Sequence, residues 1–254
     1  MSNLTFKETL SLAREIYKKS FKLTFVLAFM LSFISEYCFV YLMRHGMMDY
    51  VESNGKEIPA NFPSGDVLAL MVLVIIVATI FVYAMVILLQ GILIKQDMKN
   101  SDALKLSLQV FSKRVFAFIG VFLLSMVVMS MFTVLLQYLG MFVATLLFFT
   151  ALPAVLLEQK GPIDAIKENF TILKENFFYM MRLTLIVLAL MIIKPFLTFG
   201  LVYMLKSMSV EINPLETSVQ NIIVTVIDSL VIPFMFSITV ATFLATRKDN
   251  TNTN

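Results

Sequence analysis

Between Gly161 and Phe177 the chain alternates apolar and charged positions with a helical period. Ile163, Ile166, Phe170, Leu173 and Phe177 recur at spacings of 3, 4, 3 and 4, so they share one face, while Lys167, Glu168, Lys174 and Glu175 fall on the other. Pro162 suits the first turn of a helix, where its missing N–H is no loss, and Asp164 places negative charge there. The pattern predicts an amphipathic helix that feeds directly into an apolar run. Residues 2–22 repeat it, with Leu10, Ala13, Ile16, Tyr17 and Phe21 on one side and Lys7, Arg14, Lys18, Lys19 and Lys22 elsewhere. A third copy opens at Ser101-Asp102, a helix-capping pair.

Six apolar runs approach or exceed the roughly 20 residues that cross a bilayer as a helix. They cover 23–43, 67–94, about 115–137, 141–157, a stretch from 178 or 183 to 205, and 217–246. The third and fourth are joined only by Tyr138-Leu139-Gly140, which makes them antiparallel neighbours. Pro153 lies in the fourth run, Lys194-Pro195 in the fifth, and Asp228 and Pro233 in the sixth. Pro195, inside the fifth run, removes a backbone bond and is expected to kink that helix. Ser237, Ala241 and Ala245 give the sixth run a small-residue stripe suited to close packing. Residues 44–66 and 206–216, the latter with Asn213-Pro214, read as loops, and 247–254 as a disordered polar tail.

The three inner segments align without gaps. Glu8-Thr9-Leu10 matches Asp102-Ala103-Leu104 and Asp164-Ala165-Ile166, and eight residues after each acid stand Ile16-Tyr17, Val110-Phe111 and Ile172-Leu173. The expected organisation is one membrane domain of three repeats, 2–94, 101–157 and 162–246. Each repeat is an amphipathic helix, a span outward and a span back. Mitochondrial carriers share a plan of three two-span repeats, but their proline–acid–base signature is missing and their termini face the other way.

Charge fixes the orientation. The proposed inner segments hold sixteen of the twenty Lys and Arg, whereas the outer loops hold three, Arg44, Lys56 and Lys206. Inner segments are richer in basic residues, so both termini are expected in the cytoplasm.

Composition agrees with a membrane chain: 254 residues, 59% hydrophobic and 15% charged, against about 25% charged in soluble domains. The single cysteine, Cys38, rules out an internal disulfide framework, and the lone histidine, His45, lies in an outer loop. The 18 methionines are scattered, which favours adaptable apolar packing over a soft-metal path. No basic cluster with exposed aromatics suggests nucleic acid. No nucleophile–base pair, metal spacing or phosphate loop is visible either, so no cofactor is expected.

Ala151-Leu152-Pro153-Ala154-Val155-Leu156-Leu157-Glu158, with Gly161 to Ile166 and Leu173 to Phe177, resembles the YciC-like bacterial inner-membrane proteins. Those proteins are similar in turn to the membrane domain attached to some glycerophosphodiester phosphodiesterases. The likeness in length and span order covers nearly the whole chain, and the motif itself is confined to about 151–177. It implies a multi-pass protein of the bacterial inner membrane and carries over no catalytic residues.

Glu36, Lys194 and Asp228 are ionisable groups inside spans, which marks them as the candidate site. At about 1.5 Å per residue, Glu36 lies about 21 Å beyond Lys22, Lys194 about 18 Å beyond Arg182, and Asp228 at about 20 Å. All three share one layer, and Lys194 is expected to pair with Asp228, with Glu36 as a further partner. The expected role is a non-catalytic scaffold or assembly partner in the cell envelope, in contact with membrane lipids or another envelope membrane protein. The alternative is a small-solute or lipid transporter or channel using the three charges.

Overall fold

Thr5 starts the first helix with a reciprocal cap: its hydroxyl accepts the Glu8 N–H at 3.3 Å, and the Glu8 carboxylate accepts the Thr5 N–H at 3.1 Å. No Gly or Pro follows for many turns, so amphipathic segment and span run on as one helix, α1 (Phe6–Arg44). The computed structural model describes residues 5–56, 58–96, 98–207 and 219–251. These also contain α2 (Met47–Glu52), α3 (Gly65–Lys95), α4 (Asn100–Leu136), α5 (Tyr138–Phe148), α6 (Ala151–Leu157), α7 (Pro162–Glu175), α8 (Phe177–Ser207) and α9 (Val219–Thr251), with no strand among them. Among the described residues six helices are long and apolar enough to cross a membrane, α5 and α6 counting as one. That is the architecture of a multi-pass membrane protein.

Two local details differ from the sequence reading. The segment before the span is a separate helix only in the third unit, where Asn176 ends α7 by donating from its side chain to the Ile172 carbonyl at 3.4 Å. The link between the third and fourth spans shrinks to Gln137, held at φ 51°, because Gly140 lets α5 start at once. A Cβ at Gly140 would lie 1.9 Å from the Phe132 carbonyl oxygen, so only glycine fits. Residues 208–218, with Asn213-Pro214, lie outside the described residues, as do 252–254; α9 itself runs on to Thr251.

The helices close a circle of neighbours. α1 packs on α3 and α9, α3 on α4, α4 on α5 and α6, α5 on α8, and α8 on α9. Inside the circle α3, α6 and α9 touch one another. Their closest approach is at the end where α1 begins, called the near end here. There Gly91 of α3 admits Leu157 of α6, whose side chain would lie 2.3 Å from an added Cβ.

Burial in the three near-end segments falls at matching positions. Thr9, Ala103 and Ala165 are buried, as are Ala13, Ser107 and Asn169 four residues on. Further along, Thr24, Phe118 and Met180 are buried, and then Ala28, Phe122 and Thr184. Small residues at the first positions let each segment lie close to a helix that precedes it in the circle. Tyr17 meets Phe234 of α9 with ring centroids 5.4 Å apart, Phe111 meets Phe81 of α3 at 5.5 Å, and Asn169 bonds to the α5–α6 junction.

α7 meets the protein along one line. Its buried line is Ala165, Asn169 and Ile172, whereas Ile163 is 67% and Phe170 48% exposed. Ile166 and Leu173 pack partly against the core beside this line, so within α7 only Ile163 and Phe170 of the apolar face stand open.

The far half is looser. On α3 the consecutive residues Val72, Leu73 and Val74 are all exposed, although they point about 100° apart. α8 shows the same at Met191, Ile192 and Ile193. The bundle is thus tight at the near end and splayed at the far end.

Gly140→Ala tests the hairpin geometry. The added methyl must push the α5 start off the α4 backbone, so stability should fall by about 1–3 kcal/mol, as in overpacked cores. Thermal unfolding of the purified protein in detergent measures it, and an unchanged midpoint would contradict the close approach.

Candidate functional site

Lys194 of α8 and Asp228 of α9 form an ion pair, Nζ to Oδ1 2.8 Å. Ser32 of α1 donates its hydroxyl to the other carboxylate oxygen at 3.2 Å, so Asp228 ties three helices together. Asp228 is largely enclosed, its side chain 14% exposed, while Lys194 keeps 36%. Glu36 lies one turn beyond Ser32, where it feels the charges of both Asp228 and Lys194. It lines a groove of about 360 Å³ between α1 and α9 that also contains Phe33 and Thr225. The structure therefore brings two of the three expected residues into contact and sets the third beside them.

Below this cluster lies a chamber of about 170 Å³ in the middle of the circle. Side chains from α3, α4, α5, α6, α8 and α9 line it, among them Tyr83, Phe122, Phe148, Met191, Ile232 and Phe236. Three of the four hydroxyl-bearing residues at its wall, Tyr83 being the fourth, are engaged by their own helices: Ser125 donates to the Phe122 carbonyl, Thr145 to Met141 and Thr239 to Phe236. The wall therefore offers an apolar surface. Asp228 and Lys194 sit one turn farther out than the lining residues Ile232 and Met191, so the ion pair marks the far rim.

Three further polar side chains bond to backbone groups at the α5–α6 junction and around Pro233, and composition did not single them out. Asn169, fully buried, accepts from the Thr150 N–H and hydroxyl, both at 2.8 Å, and donates to the Leu147 carbonyl at 2.6 Å. It thereby supplies partners where the return helix breaks between α5 and α6. Around Pro233 the Leu230 carbonyl accepts from the Tyr17 hydroxyl at 3.2 Å, and the Pro233 carbonyl accepts from the Gln90 amide at 2.7 Å. A polar residue in the line Ala165, Asn169, Ile172 was the available signal, together with prolines that leave backbone groups needing partners.

His45 closes α1, its ring stacked on Tyr41 and its Nδ1 2.7 Å from the Tyr41 carbonyl. Cys38 is buried. Among the described residues no three His, Cys, Asp or Glu side chains gather where a metal ion could sit. At the near end Lys160 bridges Glu158 at 3.2 Å and Glu168 at 2.7 Å, and Arg114 donates to Gln159 at 3.1 Å.

Compared with models of protein families, with curated proteins and with solved structures, the chain matches none.

Two predictions follow the geometry. Asn169→Leu removes every partner of the α5–α6 break and should destabilise by about 1–3 kcal/mol for each buried group left unpaired. Proteolysis near Thr150 should rise with it, and wild-type resistance there would refute the clasp. Lys194→Met alone strands the Asp228 charge and should cost about 1–3 kcal/mol, below a fully buried pair because Lys194 keeps some exposure. Lys194→Met with Asp228→Asn should recover much of that, read from thermal unfolding; simple additivity would mean the two do not act as a pair.

Proposed function

We propose that this chain is a multi-pass protein of the bacterial inner membrane, with both termini in the cytoplasm. It acts without catalysis, as a scaffold or assembly partner in contact with membrane lipid and with a second envelope protein. The observation that carries this reading is the use made of polar side chains inside the spans. Asp228, Lys194 and Ser32 bind three helices to one another, and Tyr17, Gln90 and Asn169 bind to backbone. These groups build a stable frame.

The frame is three hairpins, each led by an amphipathic helix. The matching buried positions Thr9, Ala103 and Ala165, and Ala13, Ser107 and Asn169, support descent from one repeated unit. The opposite faces of the leading helices carry exposed Lys18, Lys113 and Lys174. Those lysines form a cytoplasmic collar for anionic headgroups. The resemblance of residues 151–177 to the YciC-like proteins points to the same membrane.

Transport is the second reading, and one feature favours it: Glu36 faces a groove and bonds to no partner among the described residues. Thermal stability separates the two. A scaffold in lipid contact should gain stability with anionic phospholipid and stay indifferent to a panel of small solutes. Stabilisation by one solute, lost in Glu36→Gln, would establish transport instead.

Topology has its own test. In a Cys38→Ala background, single cysteines within 49–62 should react with an impermeant reagent added outside intact cells, and one beside Lys160 should not. The reverse pattern would overturn the orientation.

A further inference from the structure

We infer that the central chamber holds one hydrocarbon chain, of a phospholipid or a free fatty acid, entering from the bilayer past Met126 of α4 and Met191 of α8. The inference rests on the reading of this chain as a membrane protein in contact with lipid.

Chemistry restricts the occupant first. The chamber wall is mainly aromatic and aliphatic; of its four hydroxyl-bearing residues, Ser125, Thr145 and Thr239 already donate to their own helices, which leaves the phenol of Tyr83. A polar solute would give up its hydration and find few partners in return. A hydrocarbon chain needs none. The volume of about 170 Å³ is several times the roughly 30 Å³ that one water occupies, and apolar spaces of this size stay dry and take apolar guests.

Access points to the same guest. Of the lining residues, Met126 on α4 and Met191 on α8 are the exposed ones, at 38% and 37%. They form the mouth. Methionine is unbranched and flexible, so such a mouth can yield to a chain and close behind it. Beyond it, α4 and α8 expose Val127, Met131, Ile192 and Phe196. In a bilayer that surface meets acyl chains, so the chamber opens into hydrocarbon rather than water. The Lys194–Asp228 pair at the far rim marks where the apolar wall ends. A chain enters from the side and lies toward Phe148 and Leu152, the near-end part of the lining.

Trp is absent from the sequence, so one introduced Trp is a clean reporter. Full-length Phe148→Trp reports on the chamber, Phe196→Trp on the exposed surface and Phe243→Trp on the dry core. Each is placed in phosphatidylethanolamine–phosphatidylglycerol vesicles whose phospholipid carries mid-chain bromine, a short-range quencher. A second arm adds brominated fatty acid to unbrominated vesicles. In at least one arm Phe148→Trp should lose most of the fluorescence that Phe196→Trp loses, and Phe243→Trp should lose little. The arm that quenches identifies the source of the chain. Adding Thr145→Phe, which fills the chamber, should protect Phe148→Trp without changing quenching at Phe196→Trp. Should Phe148→Trp misfold, Phe236→Trp reports on the same wall. If the chamber reporter behaves like Phe243→Trp in both arms while Phe196→Trp is quenched, the inference is overturned and the membrane reading stands. If Phe196→Trp also escapes quenching, the membrane reading falls and the inference with it.

Discussion

Backbone hydrogen bonding sets the terms for this structure. In an apolar bundle every N–H and C=O left over by a break needs a partner from the protein, since each unsatisfied group costs several kcal/mol. The chain breaks one return helix at the α5–α6 junction and carries Pro233 inside another, and polar side chains from neighbouring helices bond to the backbone at both places. Asn169 serves the first, Tyr17 and Gln90 the second. Tyr17 and Asn169 lie on leading segments, so each repair also fixes how a leading segment packs. Local repair and assembly of the circle are therefore one event.

Much of this was legible in the sequence, and the missing part has a physical explanation. Span count follows from run length and composition, because the bilayer sets a minimum length that no soluble fold imposes. The Lys194–Asp228 contact was reachable from depth alone, since two opposite charges in one apolar layer have few alternatives. Glu36 shows the limit of that reasoning: depth places it beside the pair, and the rotation of α1 turns it toward a groove. α7 shows a related limit. Periodicity reveals that a helix has two faces, but in a membrane both lipid and protein accept apolar residues. Small size, as at Ala165, Thr9 and Ala103, marked the protein-facing line more truly than hydrophobicity did.

Asn169 illustrates why the strongest polar contact escaped notice. Its side chain makes sense only once the return helix is known to break at Thr150, and that break depends on tertiary packing. Pro153 stands within the first turn of α6, where its missing N–H is harmless, and its ring would clash with a helical Phe149 carbonyl four residues earlier, so the proline fits both the end of α5 and the start of α6. Charged residues in spans announce themselves against an apolar background. A single amide on an amphipathic helix does not.

Tight and loose halves of the same helices then have one origin. At the near end, small side chains and polar clasps draw the leading segments, α3, α6 and α9 into contact, and Gly91 lets Leu157 close the centre. Farther out the clasps thin to the Asp228 cluster, and the side chains on α3, α4 and α8 become bulky and aliphatic. In lipid such side chains gain little by meeting one another, because acyl chains solvate them equally well. Helices held together at one end and solvated at the other must diverge. The chamber is where that divergence begins, bounded below by packing and above by the last ion pair, so its position follows from the distribution of small and polar residues along the six spans.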